Sequence, residues 1–283
     1  MRSSKDEASR RPSTKLGARR LRAYQLLLAV ALLAFWQVAT SPTLLPPIYF
    51  DDPNKAAFFF GEPLKAAIRI WHWFASGTIY RHLWVTLIET LLAFVIGTVS
   101  GVVVGIWLAL APTASAVFDP YIKAANAMPR VILAPVFFVW FGLGIASKVA
   151  LGVTLVFFIV FFNVYQGVRE VSPVVLASAR MLGASPRQLL RFVYLPSAMS
   201  WVFASLHNSV GLAFVGAVVG EYLGSSEGVG YLIQQAEGVF DINTVVAGIV
   251  VLTAFALALD GIVSLVERRL MVWQPRSGDT ERL

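Results

Sequence analysis

Residues 90–118 read TLLAFVIGTVSGVVVGIWLALAPTASAVF, with no Asp, Glu, Lys or Arg. A helix of about 20 apolar residues crosses the hydrocarbon core of a bilayer, and this window is longer than that. Gly97, Gly101 and Gly105 recur in it every four residues and share one helical face, where a neighbouring helix can approach backbone to backbone. The stretch reads as a membrane span with a packing seam.

Five more windows free of Asp, Glu, Lys and Arg flank it: Ala23 to Phe50, Val131 to Ser147, Val149 to Val168, Phe192 to Gly220 and Ile242 to Leu259. They predict an all-α integral membrane protein with six transmembrane helices, centred on 21–40, 83–110, 131–147, 149–168, 200–222 and 243–266. Only Lys148 separates the third from the fourth, so a single re-entrant hairpin competes there. Across all 283 residues, 57% are hydrophobic, 14% are charged and the mean hydropathy is +0.71, more apolar surface than one soluble core hides. That excludes a soluble globular enzyme. The chain has no cysteine, hence no disulfide, thiolate metal site or Cys nucleophile. His72, His82 and His207 are scattered, so no metal site, catalytic cluster or cofactor site is expected.

Basic residues set the orientation, because Lys and Arg resist translocation. With both termini in the cytoplasm, 18 of the 23 Lys and Arg lie inside, and only Lys55, Lys65, Arg69, Arg81 and Lys148 lie outside. The organisation expected is a cytoplasmic basic tail (1–20), a first span (21–40), an outer segment (41–81), a five-helix core (82–267) and a second cytoplasmic tail (268–283). The first apolar stretch exceeds a signal peptide's usual length and is read as an uncleaved span. Beside it, the basic tail suits anionic lipid headgroups rather than nucleic acid. In the outer segment, Pro42, Pro46, Pro47, Pro53 and Pro63 prevent a continuous helix. Between Pro63 and Ser76, Leu64, Ile68, Trp71 and Phe74 recur at helical spacing, which fits an interfacial helix.

Charged groups inside spans are costly and therefore candidates for function. Glu89 is expected to snorkel or to pair with Arg81, and Asp260 to meet Arg268 or Arg269. Glu221 opens an acidic outer stretch with Glu227, Glu237 and Asp241 that holds no Lys or Arg, a candidate docking surface at Glu221 and Glu227. Among polar residues in the later spans, adjacent His207 and Asn208 are the strongest candidates for a solute path, joined by Asn163 and Gln166.

Residues 169–198 form the longest cytoplasmic loop. Ser172-Pro173 starts a short helix and Gly183 ends it. Ser185-Pro186 starts a second helix with Gln188 completing a capping box, and Pro196 is expected to stop it. Val175, Ala179 and Leu182 share an apolar face on the first helix. Some thirty residues with their own capping signals suggest a docking surface.

This loop resembles that of permease subunits in binding-protein-dependent ABC importers, whose pattern is Glu-Ala-Ala, three residues, Gly, and later Leu-Pro. Here the pattern reads Ala177-Ser178-Ala179, Gly183 and Leu195-Pro196, with Ala177 in place of the Glu and Ser178 in place of the first Ala. Ala127-Met128-Pro129-Arg130, Ala134-Pro135, Trp140 to Gly144 and Val215 to Glu221 are similar to the nitrate, sulfonate and taurine branch, which also holds permeases for pyrimidine precursors of thiamine. The resemblance implies a type I importer permease bundle in the bacterial inner membrane that forms the path for a small solute of one of those kinds. It implies a homodimer, two copies of a separate ATP-binding subunit docked on Val175, Ala177, Ser178, Ala179, Leu182, Gly183, Leu195 and Pro196, and an extracytoplasmic solute-binding protein. The chain itself would hydrolyse nothing, since no GxxxxGK[ST] loop is present. An ion-coupled secondary transporter or channel is the competing class, and it calls for buried acid pairs or an inverted repeat.

Overall fold

The computed structural model describes residues 18–41 and 54–270. Among these, every regular element is helical: α1 (Ala18–Thr40), α2 (Lys55–Phe60), α3 (Pro63–Ser76), α4 (Thr78–Leu110), α5 (Pro112–Ala127), a 3-10 turn (Arg130–Leu133), α6 (Ala134–Phe141), α7 (Ile145–Arg169), α8 (Pro173–Met181), α9 (Pro186–Leu189), a π turn (Leu190–Tyr194), α10 (Leu195–Leu223), α11 (Val229–Gly238) and α12 (Ile242–Leu270). Four stretches are long and apolar enough to cross a membrane: Arg20–Thr40, Thr78–Leu110, Ile145–Arg169 and Ile242–Leu265. Two bent pairs, Pro112–Ala127 with Arg130–Phe141 and Pro186–Phe203 with Ser205–Leu223, bring the number to six if each is one span. The basic tail expected at 1–20 lies outside the described residues up to 17, as do 42–53 and the tail from 271.

The chain divides into two units, Met1–Ala67 and Ile68–Leu283. In the first, α1 exposes Leu26, Leu27, Val30 and Phe35 around its surface, the pattern of a helix in lipid. Gln37 Oε1 accepts the Leu64 amide at 3.0 Å, and Lys65 pairs with Glu62 at 2.5 Å.

In the second unit the centre is α4, α7 and α10. The glycine seam of α4 lies against α7: a Cβ at Gly97 would sit 2.7 Å from Val156 Cβ, one at Gly101 2.9 Å from Val160 Cβ, and one at Gly105 2.9 Å from Val164 Cγ1. The numbers rise together, so α4 and α7 run parallel. On its other side α7 meets α10 at Gly152 and Gly216, where a Cβ on Gly216 would lie 2.5 Å from Gly152 Cα. Val156, Val160, Val164, Val202 and Ala213 fill the core between them. A second core joins α11 and α12 to Ile79, with Ile70 and Trp73 of α3 packed against it.

The third and fourth predicted spans are corrected. Lys148 does not divide them: it lies inside α7, wholly buried, with Nζ donating to the carbonyls of Leu143 and Gly144. The break falls at Gly142-Leu143-Gly144, where Gly142 has φ +75°. A charge folded back onto loop carbonyls is satisfied, whereas a left-handed glycine ends a helix. The short α6 instead pairs with α5 across an 89° bend, with Pro129 between them and Pro135 in the first turn of α6. Ala134 and Phe137 of α6 pack against Leu151 of α7, so the two helices lie together on either side of the break at 142–144.

The seam gives a stability prediction. Gly101→Leu forces α4 away from α7 and should cost about 1–3 kcal/mol or more, read as a lowered Tm in detergent. Gly238→Ala, where an added Cβ meets nothing within 4 Å, should leave Tm unchanged.

Candidate functional site

Three groups of residues carry the candidate chemistry. The first is the loop between α7 and α10. α8 ends in a paired backbone turn: the Gly183 amide donates to Arg180 O and the Ala184 amide to Ala179 O, both at 3.0 Å. Gly183 has φ +82°, so a residue without a Cβ penalty is required at the turn. Ser185 and Gln188 form the reciprocal capping box at the start of α9. Ser172 occupies the N-cap position of α8, but its hydroxyl makes no cap bond. Val175, Ala177, Ser178, Leu182 and Gly183 are exposed, Leu182 at 88%, and Ala179 is half-buried above a groove lined by Leu189 and Phe192. Exposed Val174, Val175, Met181 and Leu182 together make α8 an apolar surface and a candidate for contact with a partner.

Pro196 does not stop the second helix as expected. α9 continues through the π turn at 190–194 directly into α10, and the Leu195 amide reaches back five residues to Leu190 O. The wider turn makes room for the proline ring and leaves its missing N–H without consequence. Leu195 and Pro196 therefore open α10 rather than close a separate helix.

The second group is the polar set inside the spans. Asn163 Nδ2 donates to Ile159 O at 2.7 Å, within its own helix, and Gln166 Nε2 donates to Glu170 Oε1 at 2.7 Å. His207 Nδ1 lies 2.9 Å from Asp260 Oδ1, joining α10 to α12. Of the arginines expected to meet Asp260, the side chain of Arg268 lies outside the described residues. Asn208, the next residue, is exposed.

The third group was not assembled from sequence. Glu221 is wholly buried; Oε1 accepts from Thr86 Oγ1 at 2.5 Å and Oε2 from the Gly230 amide at 2.7 Å. The Val229 amide donates to Thr86 Oγ1 at 3.2 Å and the Gly228 amide to His82 Nδ1 at 3.1 Å. Glu89 is also buried, with Oε2 lacking a hydrogen-bond partner, and buried Lys148 packs against Gly220, the residue before Glu221. Gly228 (φ +102°) and Gly230 hold the backbone against the Glu221 carboxylate, where any Cβ would collide. The cluster fastens the start of α11 to α4. Glu221 is thus unavailable for docking an outside partner. Glu89 does not meet Arg81, which pairs with Glu227 instead. Intramembrane charges at 89, 148 and 221 were each visible as costly, but their meeting depends on helix register.

Among the described residues no three His, Cys, Asp or Glu side chains converge as metal ligands.

Residues 101–272 match the family model described as the binding-protein-dependent transport system inner membrane component. The taurine transport system permease protein TauC of Escherichia coli K12 is 31% identical over 248 residues, covering 87% of this chain and 87% of that protein. The riboflavin transport system permease protein RibX of Chloroflexus aurantiacus is 30% identical over 243 residues, covering 86% of this chain and 87% of that protein. A solved inward-facing structure of the MetNI methionine ABC transporter superposes with a TM-score of 0.54 at 20% identity, covering 66% of this chain and 95% of the other, a likeness of fold.

Truncating Glu221 tests the cluster. Glu221→Ala leaves the Gly230 amide and the Thr86 hydroxyl unpaired in the interior and should cost about 1.5–3 kcal/mol per lost charged hydrogen bond. Hydrogen exchange over residues 224–238 should rise sharply. Glu221→Gln, which keeps an acceptor for one of the two donors and sets an NH2 against the other, should raise it less. Equal protection in all three proteins would show that the carboxylate does not hold α11.

Proposed function

Since the chain belongs to the binding-protein-dependent transport system inner membrane components, and is therefore the membrane-embedded permease subunit of an ABC importer, we propose that two copies form its translocation unit. Each copy docks one ATP-binding subunit on α8 and receives solute from the extracytoplasmic binding protein. ATP hydrolysis belongs to the separate subunit. ATP binding draws the two ATPases together, and α8 carries that movement through the turn at Gly183 into α9 and α10. The observation that carries this reading is mechanical: a paired backbone turn at Gly183 joins α8 to α9, and α9 passes through the π turn without interruption into α10. A displacement of its exposed Val175 and Leu182 thus has a covalent, helical route to the bundle through the first part of α10.

The resident membrane is proposed to be the bacterial inner membrane, with both termini cytoplasmic, α8 inside and 224–241 outside. The distribution of Lys and Arg supports that orientation. The solute is proposed to be small and either organic or anionic, in the range set by taurine-like and sulfonate-like compounds, nitrate and thiamine pyrimidine precursors. His207 and Asn208 are proposed to line its path. Asn163 and Gln166 contribute less, because their side chains already bond on or beside α7. Glu227 remains the docking candidate for the binding protein through its partly exposed pair with Arg81.

The chain's freedom from cysteine makes orientation testable. A single Cys at Ser226 should react with an impermeant maleimide added from outside, and labelling only from the cytoplasmic side would overturn the topology. Coupling is tested at the turn. Gly183→Val forces a β-branched residue into the left-handed region, a strain of about 1–2 kcal/mol, and should leave the spans inserted. Co-purification of the ATPase should fall, or its transport-linked hydrolysis in reconstituted membranes should. Normal values for both at matched protein levels would show that α8 is not the coupling element.

A further inference from the structure

The His207–Asp260 pair lies where a charge needs water or a partner. Asp260 is five residues short of Leu265, the end of the apolar part of α12, or about 7.5 Å along the axis. A carboxylate facing lipid at such depth is costly. Yet Asp260 is 62% exposed and His207 38% exposed in the single chain. The same face carries exposed Asn208, and Gly211 and Gly261 leave it open: a Cβ on either meets nothing within 4 Å. Polar groups and missing side chains together describe a wet face.

Its electrostatic sign is also set. From Phe192 to Glu267 there is no Lys or Arg. Four other acids in that stretch are engaged: Glu221 inside the buried cluster, Glu227 by Arg81, Asp241 by Arg69 at 3.2 Å, and Glu237 by the Tyr222 hydroxyl; the Glu267 side chain lies outside the described residues. Asp260 meets an imidazole instead and stays 62% exposed.

We propose that Asp260, held in place by His207, is the specificity-determining charge of the solute path, favouring solutes that present N–H donors or a cationic group and disfavouring bare anions. The inference rests on the reading of His207 and Asn208 as path lining. A solute passing Asn208 exchanges hydrogen bonds with water for bonds to a carboxylate, which accepts from ammonium and amide groups but repels sulfonate oxygens. A zwitterion crosses with its amine toward Asp260; a simple anion has no such orientation.

The test uses the full transporter with its ATPase in right-side-out and inside-out vesicles. Asn208→Cys serves as the reporter in the cysteine-free chain. Two probes are compared, cationic 2-(trimethylammonium)ethyl methanethiosulfonate and anionic 2-sulfonatoethyl methanethiosulfonate, each rate normalised to that with a small free thiol. A unit charge acting through water across roughly 6 Å changes each rate about threefold, in opposite directions for the two probes. The normalised ratio should therefore favour the cation by up to roughly tenfold. Asp260→Asn should abolish the preference and Asp260→Glu should restore it. Equal normalised rates, or a preference that survives Asp260→Asn, would overturn the assignment of Asp260 while leaving the path intact. No labelling from either side, or a disulfide between two copies on oxidation, would show the face to be covered, and the path reading would fail with it.

Discussion

Close approach of α4 to α7 is the constraint on which the rest of the bundle depends. Gly97, Gly101 and Gly105 lie against Val156, Val160 and Val164, so the two helices are locked in parallel with a fixed register. In lipid, where tails are as apolar as leucine, such contact supplies packing that the hydrophobic effect does not. The register has a consequence for charge. Glu89 precedes Gly97 by the same eight residues by which Lys148 precedes Val156, so the seam delivers both to one level. On the other side of α7 the contact runs antiparallel: Gly216 meets Gly152 and Gly220 meets Lys148. Glu221 follows directly. A buried carboxyl pair with its cation is thus a by-product of glycine spacing on three helices, and the start of α11 is fastened to it through the Gly230 amide.

The seam itself was legible in the sequence, because three glycines at intervals of four leave a groove whatever the partner. The identity of the partner was not. GxxxG says that some backbone comes near; only the fold says that Val156 does, and with it which charges meet. The same limit explains the misread break at Lys148. A lone lysine between two apolar runs looks like a boundary when charge is counted residue by residue. Its flexible stem lets the ammonium reach the Leu143 and Gly144 carbonyls, so the helix passes through it. Gly142 and Gly144 were the stronger signal for a break, since backbone conformation rather than side-chain polarity ends a helix.

The loop at 169–198 was read more fully, because capping chemistry is local. Ser185 with Gln188 and a left-handed Gly183 follow from neighbours within four residues. Pro196 was the exception. Its effect depends on whether the preceding turn widens, and the π turn at 190–194 does so. A stop became a splice, and that continuity gives α8 a mechanical connection to α10 that two separate short helices would lack.

Charge balance in the outer segments shows why a one-dimensional reading of electrostatics can mislead. Within 221–241 there are four acids and no base, which suggests an acidic mouth unfriendly to anions. In three dimensions the bases arrive from far along the chain: Arg81 at Glu227 and Arg69 at Asp241, with Lys148 near Glu221. Most of that apparent field is cancelled locally, and exposed ion pairs of this sort act over less than about a Debye length. What discriminates among solutes must then lie deeper, where screening ions are fewer and a single carboxylate counts for more. Asp260 beside His207 is in that position, and its influence comes from a partly exposed carboxylate held by an imidazole.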